Sequence, residues 1–260
     1  MITSPQNPKL KQVRALAARP KERREAGLFL AEGVRLLEEA LAVHWPFAYA
    51  LYSSDLSARA RVLIERLQTN GVPTEEVQSS LLRSISDTES PQGVLAVLKL
   101  PATQSLNQQR LTFVLIPDQI RDPGNLGTLI RTAAAAGVEA VLIPPETTDP
   151  WAPKVVRAGM GAHFRFTIVN YSWEEIRTAL SGFNVFLADA EGQVPLWKAD
   201  FRAKTALIVG GEAEGASAQA RQIANVVVNI PMPGKIESLN AGTAGAILLF
   251  EVVRQRNEAV

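Results

Sequence analysis

Apolar runs of strand length alternate with helix-like segments along the whole chain of 260 residues. In the helix-like segments, apolar residues recur every three or four positions, the spacing that one face of a helix requires. Over residues 1–100 the pattern predicts helices near 7–19, 33–43, 56–69 and 79–86 and strands near 28–31, 47–52, 72–77 and 93–98. This part of the chain is therefore expected to form a compact α/β unit.

A polar segment without periodicity, PATQSLNQQR at 101–110, interrupts the alternation and is the best candidate for a linker. Beyond it the pattern predicts strands near 111–117, 139–143, 164–169, 184–189, 205–210 and 226–230, and helices near 125–136, 152–159, 172–180, 217–223 and 238–256. These strands are continuous apolar runs, as is typical of a parallel sheet covered by helices on both faces. We expect a smaller α/β domain at 1–100 and a parallel-sheet domain at 111–260.

The composition excludes several classes of protein. The chain is 47% hydrophobic and 20% charged, with 27 basic and 26 acidic residues, as in ordinary globular domains. Because it has no Cys, it has no disulfide, thiolate zinc site or catalytic thiol, and its two His do not indicate a metal site. It contains no apolar run of membrane-spanning length and no apolar signal segment, so we expect no membrane partner and a cytoplasmic location.

Positive charge is concentrated near the start of the chain, where residues 1–35 carry eight basic and three acidic side chains. A solvated amphipathic helix accounts for this charge, and an RNA-binding surface is the alternative because phosphate contacts release counterions. The candidate RNA-binding residues are Lys9, Lys11, Arg19, Lys21, Arg23 and Arg24.

Three glycine-containing turns follow predicted strands of the second domain. Open α/β sheets bind their ligands beyond the carboxyl ends of the strands, which is where such turns lie. In the first, PDQIRDPGNLGTLIRTAAAAG at 117–137, Asn125 is the predicted helix cap, and Gly127 leaves space beside Arg131 one turn later. Arg131 can then reach a bulky anionic ligand, although an ordinary capped helix with a surface arginine has the same pattern.

The second turn is ALIVGGEAEGAS at 206–217, which lacks the dinucleotide-binding and P-loop patterns. Its carboxylates, Glu212 and Glu214, would repel a phosphate, so the turn suits a cationic or neutral ligand better. A tight turn into a helix that starts at Ser217 explains the glycines equally well.

The third turn leads into the last predicted helix, in IPMPGKIESLNAGTAGAILLFEVVRQR at 230–256. Ser238 is its predicted cap, and Asn240 lies in its first turn. A helical glycine costs about 1 kcal/mol relative to alanine, so Gly242 and Gly245 imply that a ligand, a partner helix or another loop approaches closely.

Taken together and in this order, the segments 125–131, 208–217 and 230–240 resemble the motifs of the SpoU/TrmH family, the RNA ribose 2′-O-methyltransferases of the SPOUT superfamily. The first hundred residues resemble the substrate-binding domain of larger family members, through S-x-x-N-P-x-x-K at 4–11 and F-L-A-E-G at 29–33. The resemblance implies a trefoil knot in the C-terminal domain, S-adenosylmethionine as cofactor, a homodimer with a shared active site, and ribosomal RNA of the 23S type as substrate.

The resemblance also implies roles for individual residues. The catalytic and substrate-contacting positions are Asn125, Arg131, Glu212, Ser238 and Asn240, and the cofactor positions are Gly210, Ile230 and Leu239 through their backbones and Met232 on the adenine side. The family's proposed mechanism has the arginine activate the hydroxyl. Because a guanidinium keeps its proton, we expect Arg131 to clamp the adjacent phosphate and to stabilise the developing alkoxide.

Other functions are compatible with parts of the pattern. A tRNA ribose methyltransferase and an antibiotic-resistance rRNA methyltransferase share the motifs, but the family's tRNA enzymes usually lack the extra N-terminal domain. A non-catalytic RNA-binding or ribosome assembly factor would be expected to lack Arg131, Asn125 or Asn240, and all three are present. A nicotinamide-dependent oxidoreductase is disfavoured by the missing fingerprint.

Overall fold

The computed structural model describes residues 1–88, 90–101, 106, 110–211, 215–234 and 236–258. These residues form two compact units: unit 1 comprises Met1–Ala102 and Trp151–Phe164, and unit 2 comprises Thr103–Pro150 and Arg165–Val260. Of the predicted linker, only residues 101, 106 and 110 are described. No helix within the described ranges is long and apolar enough to cross a bilayer, and no group of three His, Asp or Glu side chains in them is arranged to hold a metal ion.

Unit 1 begins with two short helices where the sequence predicts one. The Asn7 side chain caps α1 (Pro8–Ala18) by accepting a backbone hydrogen bond at 2.9 Å. Helix α2 (Pro20–Ala26) follows directly, because Pro20 lacks the amide that would continue α1 but fits the first position of a new helix. Gly27, with φ of 64°, ends α2 in the left-handed region.

The other elements of unit 1 surround a mixed sheet. They are β1 (Leu28–Glu32), α3 (Val34–Ala42), β2 (Phe47–Tyr52), α4 (Ala58–Thr69), β3 (Thr74–Glu76), α5 (Ser79–Ile85) and β4 (Val94–Lys99). In the described part of this unit the strand order is β1-β4-β2-β3; β4 is antiparallel to β1 and β2, and β3 is parallel to β2. The elements predicted over residues 28–98 are confirmed, with ends that differ by a few residues.

Residues 151–164 pack in unit 1, whereas the sequence placed them in the second domain. The Trp151 ring centroid lies 4.8 Å from that of Phe29 on β1, and the Phe164 centroid lies 5.0 Å from that of Trp45. Phe29 is fully buried. Aromatic pairs of this kind contribute strongly to a core, so these rings explain why the segment packs here.

Unit 2 is a parallel sheet with helices on both faces, as the continuous apolar runs predict. The elements that follow β4 in chain order are β5 (Phe113–Asp118), α6 (Pro123–Ala135), β6 (Ala140–Ile143), α7 (Pro153–Gly159, in unit 1), β7 (Thr167–Asn170), α8 (Trp173–Ala179), β8 (Asn184–Ala188), β9 (Val194–Pro195), β10 (Thr205–Gly210), α9 (Ala218–Ile223), β11 (Val226–Asn229) and α10 (Ala241–Glu258). Over the residues described, the strand order is β7-β6-β5-β10-β8-β11-β9, with each neighbouring pair parallel.

The central strands β5 and β10 determine where a ligand can bind. From β5 the chain continues to β6 and β7 on one side, and its later strands, β8 to β11, all lie on the other side. In sheets of this kind, ligands bind beyond the carboxyl ends of the strands at the point where the order reverses. Gly210 at the end of β10 is in register with Asp118 at the end of β5, so these two residues mark that point.

Helices α6 and α10 pack closely because α10 begins with small residues. A Cβ at Gly242 would lie 3.1 Å from Cγ2 of Thr128, and a Cβ at Gly245 would collide with the Leu129 side chain. Of the three partners that the glycines allowed, a ligand, a helix or a loop, the structure shows a helix of the same chain.

Candidate active site

A cavity of about 220 Å³ lies in unit 2 at the carboxyl ends of β8, β10 and β11. Gly210, Ile230, Met232 and Leu239, the residues that the sequence assigns to a cofactor, all line it, and so does Ser238. The second and third glycine-containing turns therefore contribute to one cavity, although they are separate in the sequence.

Backbone segments approach each other closely at the end of β10. A Cβ at Gly210 would lie 2.8 Å from the backbone nitrogen of Ala216. A Cβ at Gly211 would collide with the backbone carbonyl oxygen of Gln119, a residue whose backbone φ is 54°. Both glycines are thus required by close backbone contacts and not only by a turn. Glu212, a predicted catalytic residue in this segment, lies outside the described residues.

Asp118 is a fully buried carboxylate at the end of β5 that the sequence analysis missed. The backbone amide of Ser217 donates to its Oδ2 at 2.6 Å, and Ser217 caps α9, which confirms the predicted start of that helix. Within the described part of the chain, no donor lies within hydrogen-bond distance of Oδ1. The available signal was a carboxylate placed directly after the apolar run at 111–117.

Asp118 makes the stability of the fold depend on pH. Burial raises the pKa of its carboxyl above the usual 3.8, and the hydrogen bond from Ser217 partly opposes this shift. The folded state therefore binds the proton more readily than the unfolded chain does, so the free energy of unfolding decreases as pH rises from 3.8 through the native pKa.

We expect Asp118→Asn to remove this contribution, because the amide oxygen still accepts from Ser217 but carries no charge. Urea unfolding of both proteins from about pH 4 to about pH 7 measures the difference. If the difference in unfolding free energy between variant and wild type did not change with pH, the raised pKa of Asp118 would be contradicted.

The first and third turns meet through a hydrogen bond between two side chains. Nδ2 of Asn240 donates to Oδ1 of Asn125 at 2.8 Å. Oδ1 of Asn240 accepts from the amide of Thr243 at 3.2 Å, so Asn240 caps α10. The prediction that Ser238 caps this helix is wrong, because the helix begins only at Ala241.

The prediction that Asn125 caps α6 is also wrong. Asp122 is the cap, since its Oδ1 accepts from the amide of Asn125 at 2.8 Å. Pro123 occupies the first helical position, which places the cap at residue 122. The carboxamide of Asn125 instead contacts Asn240.

Arg131 lies on α6 with an exposed side chain and does not line the cavity. Gly127, which was expected to leave space beside it, is buried. No carboxylate among the described residues lies within ion-pair distance of the Arg131 guanidinium. Asn125 and Asn240 are therefore hydrogen-bonded to each other beside the cavity, whereas Arg131 lies on the surface of the chain.

The basic residues predicted to bind RNA differ in their surroundings. Lys9 forms an ion pair with Glu75 at 2.6 Å. Arg23 is only 2% exposed and donates to the carbonyl of Leu16 at 2.5 Å, so it satisfies the end of α1. The exposed members of the set are Lys11, Arg19, Lys21 and Arg24.

Comparison with known proteins gives two family models and several full-length relatives. The model of the SpoU rRNA Methylase family matches residues 112–250, and the model of the MRM3-like substrate binding domain matches residues 7–96. The 23S rRNA (uridine(2479)-2′-O)-methyltransferase of Streptomyces viridochromogenes is 33% identical, with 98% of this chain and 92% of that protein covered. The 23S rRNA (guanosine(2553)-2′-O)-methyltransferase RlmP of Bacillus subtilis is 31% identical, with 96% and 98% covered.

A solved structure shows the same architecture. The AdoMet-bound rRNA methyltransferase from Sinorhizobium meliloti matches with a TM-score of 0.85 at 30% identity, over 97% of each chain. The segment that matches the methylase model contains all three glycine-containing turns and amounts to more than half of the sequence. The chain therefore belongs to the SpoU rRNA methylase family.

Proposed function

We propose that this chain transfers the methyl group of S-adenosylmethionine to a ribose 2′-hydroxyl of ribosomal RNA of the 23S type. The observation that carries the proposal is the cavity in which Gly210, Ile230 and Leu239 converge beside the hydrogen bond between Asn240 and Asn125. The relatives from Streptomyces viridochromogenes and Bacillus subtilis are both named for 2′-O-methylation of 23S rRNA, which supports the same substrate class here.

The residues around the cavity fit this cofactor. Gly210, Ile230 and Leu239 would hold it through backbone groups, and the apolar side chain of Met232 would lie on its adenine side. The backbone of Gly215 and Ala216 packs directly against Gly210, which fixes the end of β10 at the wall of the cavity. When bound, the cofactor supplies an electrophilic methyl group on a positively charged sulfur.

The side chains of this protein align the acceptor and stabilise its charge. Alignment of two reactants contributes roughly 7–11 kcal/mol to such a transfer. Asn125 and Asn240, fixed by their mutual hydrogen bond, orient the ribose. Arg131 clamps the adjacent phosphate and stabilises the negative charge that develops on the 2′-oxygen as the hydroxyl proton passes to water, because a guanidinium keeps its own proton. Ser238, which lines the cavity, and Glu212 are the other proposed catalytic and substrate-contacting residues.

In this proposal the active form is a homodimer. Helix α10 exposes Ile247 (39%) and Phe250 (48%), two large apolar side chains one turn apart. The same helix follows Asn240 and packs on α6, which carries the exposed Arg131. A second copy on this surface buries both apolar side chains and brings Arg131 to a shared active site.

We expect the double replacement Ile247→Glu, Phe250→Glu to yield a monomer with little methyl transfer, because two buried charges would oppose association. Light scattering gives the mass, and transfer of labelled methyl groups gives the activity. Val62→Glu is the matched control, since Val62 is a 54% exposed apolar residue of unit 1. A double variant with the same mass as wild type would contradict the proposed interface.

The exposed basic residues near the N-terminus form the proposed RNA-capture surface. We expect replacement of Lys11, Arg19, Lys21 and Arg24 by Ala to weaken RNA binding and to lower the slope of log affinity against log salt by about 3, since each phosphate contact contributes about 0.7–0.9. Filter binding over a salt series measures the slope, and unchanged cofactor affinity is the control. An unchanged slope would instead favour a solvated amphipathic helix that does not contact RNA.

The proposal also includes the trefoil knot and the cytoplasmic location that the sequence leads us to expect. Support for the knot comes from the C-terminal path, in which the segment 230–240 leads from β11 into α10, and α10 packs on α6 and β10.

Incubation of the protein with labelled S-adenosylmethionine and total RNA tests the proposed function. We expect label in the large ribosomal RNA, at one ribose whose position is then mapped as a 2′-O-methyl group. Label confined to transfer RNA would favour the tRNA ribose methyltransferase. Altered drug sensitivity of a deletion strain would favour the antibiotic-resistance enzyme, and absence of label would favour the non-catalytic assembly factor.

A further inference from the structure

An ion pair between Asp189 and Arg221 lies at the cavity and has no role in the proposed methyl transfer. Asp189 follows β8 and lines the cavity between Ala188 and Ala190. Its Oδ2 accepts from Nη2 of Arg221 on α9 at 2.6 Å, and its side chain is 13% exposed. Asp189 therefore lies at the cavity, and its carboxylate is held in place by a partner from another element.

A second contact places the same pair at the wall of the cavity. Nη2 of Arg221 would lie 3.9 Å from a Cβ built on Gly215, and Gly215 also lines the cavity. The pair therefore bridges the segment after β8 and the segment after β10. Oδ1 of Asp189 accepts from the amide of Glu191 at 2.9 Å, which fixes the orientation of the carboxylate further.

We propose that Asp189 is a cofactor-binding residue that accepts hydrogen bonds from the vicinal ribose hydroxyls of S-adenosylmethionine, and that Arg221 is its positioning residue. This inference rests on the proposed function of the cavity. An ionised carboxylate has about four lone-pair sites, and Arg221 and Glu191 use two of them. Counted over the residues that the structure describes, two acceptor sites remain, and a vicinal diol offers two donors.

The arginine distinguishes recognition of the ribose from attraction to the positive sulfur. Arg221 offsets the charge of Asp189, so the long-range attraction of the carboxylate for a sulfonium is reduced. Short hydrogen bonds to the remaining lone pairs are still formed. The pair is therefore suited to hydroxyl groups, which are present in both S-adenosylmethionine and its uncharged-sulfur product.

Calorimetric titration of the full chain with three ligands tests the inference. The ligands are S-adenosylmethionine, S-adenosylhomocysteine and the 2′,3′-dideoxy analogue of S-adenosylhomocysteine. We expect wild type to bind the dideoxy analogue roughly 10- to 100-fold more weakly than S-adenosylhomocysteine, as for lost hydrogen bonds to a charged group. Asp189→Ala should weaken both natural ligands by a similar factor and leave the dideoxy analogue unaffected.

Two controls separate recognition from folding. Asp200→Ala removes a matched carboxylate that pairs with Arg202 at 2.8 Å and does not line the cavity, so all three affinities should remain unchanged. Arg221→Ala should reproduce the pattern of Asp189→Ala in weaker form, and Arg221→Lys should restore part of the affinity for the two natural ligands only.

Three outcomes would overturn the inference. Equal binding of S-adenosylhomocysteine and its dideoxy analogue by wild type excludes ribose recognition and needs no variant. A loss in Asp189→Ala that is tenfold larger for S-adenosylmethionine than for S-adenosylhomocysteine assigns the carboxylate to the sulfur instead. If wild type binds neither natural ligand, the proposed function of the cavity fails as well, whereas in the first two cases it stands.

Discussion

Replacement of Arg131 by Ala is expected to lower methyl transfer by about 100- to 1,000-fold, the usual effect of removing one preorganised donor from a developing oxyanion. Affinity for S-adenosylmethionine should stay unchanged, because Arg131 does not line the cavity. Single-turnover transfer of a labelled methyl group and calorimetric titration of the cofactor measure the two quantities separately.

Arg177→Ala is the matched control for this change, since Arg177 is another exposed helical arginine of unit 2. It should transfer methyl groups at the wild-type rate. If Arg131→Ala retained activity within about threefold of wild type, a difference below 1 kcal/mol, Arg131 would have no part in the transition state.

Arg131→Lys separates a phosphate clamp from a general base. A lysine retains the positive charge but loses the bidentate geometry of a guanidinium, so we expect partial activity with the same pH profile as wild type. The rate of single turnover measured across a pH series gives this profile. Activity that increases steeply as pH approaches the ordinary lysine pKa would instead assign proton abstraction to this side chain.

Replacement of Gly210 by Ala is expected to disrupt both the fold around the cavity and the reaction. The new Cβ would lie 2.8 Å from the backbone nitrogen of Ala216 and 2.9 Å from the carbonyl carbon of Gly215, and backbone atoms cannot move aside as a flexible side chain does. We expect a loss of about 1–3 kcal/mol in the free energy of unfolding, as for other overpacked sites. Displacement of the segment after β10 should reduce methyl transfer by about 100-fold.

The chain offers a matched control for this glycine. Gly234 lies in the third turn, its φ is outside the left-handed region, and nothing lies within 4 Å of a Cβ built there. Gly234→Ala should leave activity unchanged and raise stability by about 0.4–1 kcal/mol, because alanine restricts the unfolded chain. Urea unfolding and single-turnover methyl transfer of the two variants make the comparison. Equal effects of the two substitutions would show that the close contact at Gly210 contributes neither to stability nor to methyl transfer.

The fold was predictable from sequence to the extent that its elements are local. The helices and strands predicted over residues 28–98 and 111–256 are found, and the continuous apolar runs correctly indicate a parallel sheet in unit 2. The sequence pattern does not predict the helix at Pro20–Ala26, because the helix that it predicts near 7–19 ends before Pro20. It does not predict the two-residue strand β9 either, since so short an element has no detectable period.

The site was less predictable, because helix caps are decided by geometry within a single turn. Asp122, Asn125, Ser238 and Asn240 are all residue types that cap helices, and only the actual start of each helix selects Asp122 and Asn240. Charge was equally ambiguous in the sequence. Nothing in the sequence distinguishes Arg23, which is buried against α1, from the exposed basic residues around it.

The sequence was sufficient to establish the α/β class and the resemblance to one family. It contains the succession of strands and helices along the chain, the apolar runs and the three glycine-containing turns, all of which are properties of neighbouring residues. Contacts between distant residues required the folded chain. Asn125 and Asn240 are 115 positions apart, and Asp118 and Ser217 are 99 positions apart. No periodic pattern extends over such separations. The residues of each pair meet because parallel strands bring the carboxyl ends of β5 and β10, and the loops beyond them, to one edge of the sheet.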